Sequence, residues 1–333
     1  MKTYLSEIKE NDAVDSLFLV REKSLGITKS GNAYLKLLLV DRTGEMEGRI
    51  WNSVDPLSGS FEKDDFVQVK GKVVSFQDHL QLNITHIERM EEEEILLSDF
   101  FPMTEKDIEG MFRALTEAGQ QVKDHCLSQL LRLFWEDESF VEKFKIAPAS
   151  THLHHTYIGG LLEHTLSVTQ LVLINAGHYS GLNLDLLITA SILHDLGKVD
   201  ELSYQRSFDY SDEGRLLGHI LLGIERLEDK IRQLPDFPND LAIQLKHLLI
   251  SHHGQYQWGS PRKPMTLEAI LLHFLDNLDA KLQGVQQFFK KQVPEGSRFS
   301  RYHPFFEQYF YLPPLGVDVQ PKDIIEGKEK EED

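Results

Sequence analysis

Hydrophobic and polar positions alternate through much of residues 14–90 and then change to a three-to-four-residue recurrence beyond residue 104. VDSLFLVREKSLGI, AYLKLLLVD, EMEGRIW, FVQVKGKVVSF and LQLNITHIERM predict five short strands. KSGNAY, DRTGE and QDH provide the turns between them. After the acidic run Glu91–Glu94 and Pro102 the chain reads as helices. Thr104 stands where it can cap the first of them, and Leu127, Leu130, Leu131 and Phe134 recur at helical spacing. From 151 to about 290 helix follows helix, separated by loops such as HGQYQWGSPRKP. One segment departs from amphipathic patterning. Leu186, Leu187, Ile188, Ala190, Ile192 and Leu193 leave almost no polar face, so this helix is expected to be buried all round. It ends in His194-Asp195, and a buried carboxylate is costly unless paired or bound to a metal. That doublet requires partners from elsewhere in the chain.

Five strands in about 75 residues suit a small closed barrel, and the OB-fold is the natural candidate. YLKLLLVDRTGEMEGRIW resembles the second and third strands of nucleic-acid-binding OB domains. Such domains stack bases on exposed aromatics beside basic residues. Phe18, Tyr34, Trp51 and Phe76 are the candidate platforms, and Lys36, Arg49, Lys70 and Lys72 the candidate backbone contacts. The expected organisation is a barrel domain over 1–90, an acidic linker and helical segment over 91–150, a helical domain over 151–290, and a C-terminal extension with an acidic tail over 291–333.

Charge and composition narrow the reading. The net charge of −18 argues against nucleic-acid binding by bulk electrostatics, yet residues 1–90 carry only −2 of it. No stretch approaches the roughly 20 apolar residues needed to span a bilayer, and the polar, acidic start does not read as a signal peptide. A single cysteine, Cys126, excludes an internal disulfide and a Cys-based zinc site; a cytoplasmic location is the expectation from these absences. Histidine is the unusual residue: of fifteen, eleven fall between His152 and His273.

Helical geometry directs several of them inward. His164 shares a stripe with Leu161, Val168 and Leu171, and His219 adjoins Leu216, Ile220, Ile224 and Leu227. His252 follows Leu248 by four and His253 follows Leu249 by four; Asp276 and Asp279 follow Leu272 and Leu275 in the same way. Gly218 sits inside a helix beside His219 at a cost of about 1 kcal/mol, which close helix approach would explain. Imidazoles and carboxylates without thiolate suit Mn²⁺, Fe, Co, Ni or Zn, and an aspartate between two histidine sets can bridge two ions.

His164, His194-Asp195, His219, His252-His253 and Asp276 resemble the H…HD…H…H…D signature of the HD-domain phosphohydrolases. HHTYIGGLLEHTLSV, LHDLGK, EGRLLGHI, SHHG, WGSPRKPMTLEA and LHFLDNLDAK, behind an OB domain, resemble the YhaM-type 3′–5′ exoribonuclease family over most of the chain. The resemblance implies an N-terminal five-stranded OB-fold β-barrel followed by an all-α HD-domain helical bundle. It implies a metal-dependent enzyme that shortens single-stranded RNA, with single-stranded DNA as an alternative, by two-metal hydroxide attack releasing nucleoside 5′-monophosphates. His164, His194, Asp195 and Asp276 would hold one ion. Asp195 would bridge to a second, completed by His219 and by His252, His253 or both. Mn²⁺ is the first expectation for both ions.

Lys198 is placed to neutralise a phosphate oxygen, and Asp279 to orient a ligand histidine or carry protons. Arg262 and Lys263 are candidates for the next phosphate; His154 and His155 are candidates for phosphate contact or for supporting a ligand. Thr151 stands where the family carries a lysine. Two other readings stay open: a nucleotide or cyclic-dinucleotide phosphohydrolase, and a non-catalytic nucleic-acid-binding regulator. A homo-oligomer is also open.

Overall fold

A computed structural model describes residues 2–28, 30–52, 59–77, 79–91, 95–150, 155–203, 209–292 and 297–312. By Cα proximity the chain divides into a unit of residues 1–280 and a second of residues 281–333. Within the first unit lie the barrel and most of the helices.

The strands are β1 (Ala13–Ile27), β2 (Ala33–Asp41), β3 (Gly44–Ile50), β4 (Phe66–Phe76) and β5 (His79–Arg89). They close in the order β1-β2-β3-β5-β4, antiparallel throughout except for the parallel β3–β5 pair. Closure abolishes free strand edges. Alternation turns Phe18, Val20, Leu35, Leu37, Leu39, Val67, Val69, Val73 and Leu82 into the barrel, where they form one buried cluster. Phe18 shares its phase with Val14 and Val20, and its side chain is fully enclosed. It therefore cannot serve as a base platform, and the sequence-based expectation for Phe18 is corrected on this point.

The helices are α1 (Ile108–Gly119), α2 (His125–Trp135), α3 (Glu138–Ile146), α4 (Gly160–Ala176), α5 (Leu184–Leu193), α6 (Lys198–Glu201), α7 (Asp212–Ile231), α8 (Asn239–Ser251) and α9 (Leu267–Gln292). Side chains of Asp107, Asp124, Asp137, Asn183 and Ser211 cap five of them by accepting from backbone N–H groups left open in the first turn. Thr104 is not the cap of α1; its hydroxyl instead donates to Glu163 Oε2 at 2.6 Å. Every residue of α5 from Leu186 to Leu193 is buried, as its unbroken apolar pattern predicts. This helix is the axis of the helical core, packed against Leu161, Val168, Leu245, Leu248 and Leu272. A burial of that kind leaves its C-terminal His194-Asp195 doublet inside the domain.

Among the described residues no helix is long and apolar enough to cross a membrane. The acidic tail lies outside the described residues.

Candidate functional site

Two helices end on histidines in the same way. His194 follows α5 and His252 follows α8, and each donates Nδ1–H to the carbonyl three residues back, Ser191 O at 2.8 Å and Leu249 O at 2.6 Å. Those carbonyls belong to last turns, where no intrahelical donor remains. His253 donates Nδ1–H to Trp258 O at 2.7 Å. A carbonyl only accepts, so in all three rings the proton is on Nδ1 and Nε2 presents a lone pair. His164 and His219 are held through Nδ1 by carboxylates instead, Asp279 at 2.7 Å and Glu201 at 3.1 Å.

The Nε2 atoms converge on Asp195. On one side, Asp195 Oδ2 lies 3.5 Å from His164 Nε2 and 3.3 Å from His194 Nε2, while His164 Nε2 is 3.2 Å from both His194 Nε2 and Asp276 Oδ1. On the other, Asp195 Oδ1 lies 3.5 Å from His219 Nε2 and 3.5 Å from His252 Nε2, and His253 joins this group. One aspartate thus presents one oxygen to each of two histidine sets.

These donors fit divalent ions. Asp195 Oδ1, His219 Nε2 and His252 Nε2 are buried and have no hydrogen-bond partner. Orphaned buried polar atoms are rare and cost about 1–3 kcal/mol each, so three aimed at one point call for a shared cation. Atoms held about 2.1 Å from one ion lie roughly 3.0–3.4 Å apart, close to the separations above.

Electrostatics hold the site ready. Burial opposes ionisation of Asp195, but the Lys198 ammonium at 2.6 Å and His194 keep its carboxyl well below the usual range. Burial similarly opposes a charge on His164, yet the Asp276 and Asp279 carboxylates outweigh it and raise its pKa to about 9, so this ring must release a proton before its Nε2 can bind a cation. Burial, with His252 and His219 nearby, pushes His253 down to about 2 and keeps its ring neutral.

A second tier of side chains fixes the first. Asp279 accepts from His164, from the Ser167 hydroxyl and, at 3.3 Å, from His155 Nε2. His155 is fully buried and its Nδ1 meets Tyr157 Oη at 2.7 Å. With both ring nitrogens engaged inside the protein, His155 is no phosphate contact but a support of the carboxylate that orients His164. Glu201 accepts from both the backbone and the ring of His219 at 3.0 and 3.1 Å. The sequence reading missed Glu201; its only local signal is an acidic residue one turn after Lys198.

His219 reaches the site by a backbone break, not by the stripe expected of it. Gly218 has φ 73° and ψ 157°, a kink inside α7 that a residue with a Cβ rarely adopts. The kink shifts the helical phase, so Leu216 is 84% exposed while Leu227 is buried. Nothing crowds Gly218, so its φ, and not close helix approach, is the reason for glycine there. Close approach applies at Gly197 instead: a methyl group would overlap the carbonyl oxygen of His219 and lie 2.5 Å from the amide nitrogen of Gly223. Gly197→Ala is therefore expected to destabilise the protein by about 1–3 kcal/mol and, by displacing His219, to weaken binding of a divalent ion, for which Mn²⁺ is the probe. Thermal denaturation and an Mn²⁺ titration read these two effects; an unchanged titration would show that His219 does not need this packing.

Arg262 and Lys263 are exposed on the loop after α8, with Lys263 5.7 Å from the Tyr256 ring centre. No described contact joins them to the cluster. Thr151 and His154 lie outside the described residues.

On the barrel, strand register aligns Lys36, Arg49, Asn83 and Lys72 in one row across β2, β3, β5 and β4. Above that row Tyr34 and Trp51 pack at 5.0 Å, and Trp51 donates to Asn83 Oδ1 at 3.0 Å. The Arg49 guanidinium lies 5.3, 5.4 and 5.6 Å from the Tyr34, Trp51 and Phe76 rings. Trp51 and Phe76 are 40% and 51% exposed. Glu47 pairs with Lys36 at 2.9 Å and with Arg49 at 2.8 Å, and Lys70 pairs with Asp15 at 3.0 Å. The Lys70–Asp15 pair is exposed at both ends, and such pairs are worth at most about 1 kcal/mol, so a phosphate can replace the carboxylate there.

The HD domain family matches residues 161–281, and the OB-fold nucleic acid binding domain family matches residues 19–90. The chain is 33% identical over 303 residues to the 3′-5′ exoribonuclease YhaM of Geobacillus sp. (strain WCH70), covering 91% of this chain and 92% of that protein. It is 32% identical over 310 residues to the 3′-5′ exoribonuclease YhaM of Bacillus subtilis (strain 168), covering 93% and 97%.

Proposed function

Because the chain belongs to the YhaM-type 3′–5′ exoribonuclease family, we propose that it shortens single-stranded RNA from the 3′ end to nucleoside 5′-monophosphates, with divalent ions as cofactors. The observation that carries the reading is the Asp195 carboxylate, shared between two converging histidine sets that leave three buried donor atoms unpaired.

In this reading His164, His194, Asp195 and Asp276 would hold one ion, and Asp195, His219, His252 and His253 a second. Mn²⁺ is the first candidate. When bound, such ions supply electrophilic activation of the phosphate and an acidified water at neutral pH. The chain's own groups do the rest. Asp279 and Glu201 fix the ring planes of His164 and His219, and His155 steadies Asp279. Lys198 neutralises a non-bridging phosphate oxygen, and Arg262 and Lys263 take the following phosphate. The barrel, residues 1–90, captures the strand; the helical domain, residues 151–290, hydrolyses it. Tyr34, Trp51 and Phe76 stack bases while Lys36, Arg49, Lys70 and Lys72 follow the backbone.

The test uses 5′-labelled single-stranded RNA with Mn²⁺, and single-stranded DNA of the same sequence beside it. A ladder shortening from the 3′ end, with release of 5′-monophosphates, is expected. Intact RNA under several divalent ions, together with turnover of mononucleotides or cyclic dinucleotides, would move the assignment to a small-nucleotide phosphohydrolase. Separately, Trp51→Ala is expected to weaken binding of a labelled oligouridylate in EDTA by about 5- to 100-fold, the worth of one stacked base. Fluorescence anisotropy reads it, and equal affinity would remove this face from the reading.

A further inference from the structure

Residues 297–312, SRFSRYHPFFEQYFYL, fold back on themselves. Ser300 N donates to Phe310 O at 2.9 Å, His303 N to Gln308 O at 2.9 Å and Leu312 N to Arg298 O at 2.7 Å, the pattern of a short antiparallel hairpin. Phe299 pairs with Tyr311, and His303 with Gln308. One side of the hairpin packs inward: Ser300 is buried, and the His303 ring lies 4.3 Å from Phe288 and 4.8 Å from Phe306. The other rings do not. Phe299, Tyr302, Tyr309 and Tyr311 are 53%, 48%, 62% and 49% exposed. They form two pairs across the hairpin, Phe299–Tyr311 at 5.3 Å and Tyr302–Tyr309 at 5.4 Å. Arg298 and Arg301 are exposed between them, and Glu307 is the one acidic residue in the segment.

We propose that this hairpin is a second binding site for single-stranded nucleic acid, stacking bases on Phe299, Tyr302, Tyr309 and Tyr311 and holding phosphates with Arg298 and Arg301. Three features select this occupant. Exposed rings offer π-faces to any base, independent of sequence, and arginines beside them contact the backbone. Arg298 and Arg301 against the single Glu307 make the segment net positive in a chain of net charge −18, which favours a polyanion over an acidic partner here. A second copy docking through the same face about a two-fold axis would set two net-positive faces against each other, which like-charge repulsion opposes. The site serves the capture of long substrates, and in that respect it rests on the proposed RNA-shortening function.

The test is binding of labelled oligouridylate to full-length protein carrying Asp195→Asn, which prevents turnover. Tyr302→Ala/Tyr309→Ala is expected to weaken binding by at least about 30-fold, the worth of two stacked bases, and Tyr302→Phe/Tyr309→Phe to restore it, because the stacking faces return. Arg298→Gln/Arg301→Gln, which leaves the rings in place, is expected to reduce the slope of log K against log salt by about 1.4, roughly 0.7 for each phosphate no longer neutralised. Unchanged affinity and slope in these variants, with Trp51→Ala still weakened, would overturn the hairpin site and leave the proposed function standing. A parent protein that binds no oligouridylate would overturn both. Loss of self-association in the alanine variant with RNA affinity retained would give the surface to a second copy and overturn the proposal.

Discussion

Asp195→Asn is expected to reduce RNA shortening by about 100- to 1,000-fold, the order lost when a group that stabilises developing charge is removed. Among the described residues Asp195 is the carboxylate that faces both histidine sets. Its Oδ2 faces His164 and His194 at 3.5 and 3.3 Å, and its Oδ1 faces His219 and His252 at 3.5 Å each. An amide keeps the volume but has one acceptor where the carboxylate has two charged oxygens, so at most one histidine set retains an oxygen partner. Mn²⁺ binding, followed by titration or by elemental analysis after desalting, should fall with activity. Retention of a tenth of the activity would mean that the two histidine sets do not work through a shared carboxylate.

Lys198→Met is expected to destabilise the protein by about 3–5 kcal/mol in EDTA, and much less in Mn²⁺. The Lys198 ammonium lies 2.6 Å from Asp195 Oδ2, and the two side chains are only 11% and 2% exposed. Breaking a buried ion pair from one side strands the remaining charge in a poorly solvated site, which costs more than the pair itself contributes. In a chain of this size that corresponds to a drop of roughly 4–8 °C in melting temperature. A divalent cation neutralises the same carboxylate, so Mn²⁺ should raise the melting temperature of the variant more than that of the wild type. Equal melting of the two proteins in EDTA would show that Asp195 is compensated by its histidines alone. Activity with Mn²⁺ should still fall, since Lys198 is assigned a phosphate oxygen as well.

The barrel strands were legible because each is a local alternation: β2 and β4 match their sequence patterns end to end, and the other three differ by one residue at one or both ends. The burial of α5 was legible for the same reason, since a helix without a polar face has no way to meet water. Helical spacing also placed His164, His252, His253, Asp276 and Asp279 on inward faces. Where the period was interrupted, the reading faltered. The stripe through Leu216 assumed a continuous helix that Gly218 breaks, and Phe18 was read by its type when its phase with Val14 and Val20 places it inside.

The sequence by itself determined the elements, their order and the residue types that could meet, because those depend on interactions among residues a few positions apart. Only the tertiary structure decided which atoms meet. The parallel β3–β5 pairing that lines up Lys36, Arg49, Asn83 and Lys72 comes from barrel closure. The division of Asp195 between two histidine sets, the hold of Glu201 on His219, and the withdrawal of His155 behind Asp279 join segments separated by 18 to 124 positions. No local period carries information over such distances; the packing of α5 among its neighbours does.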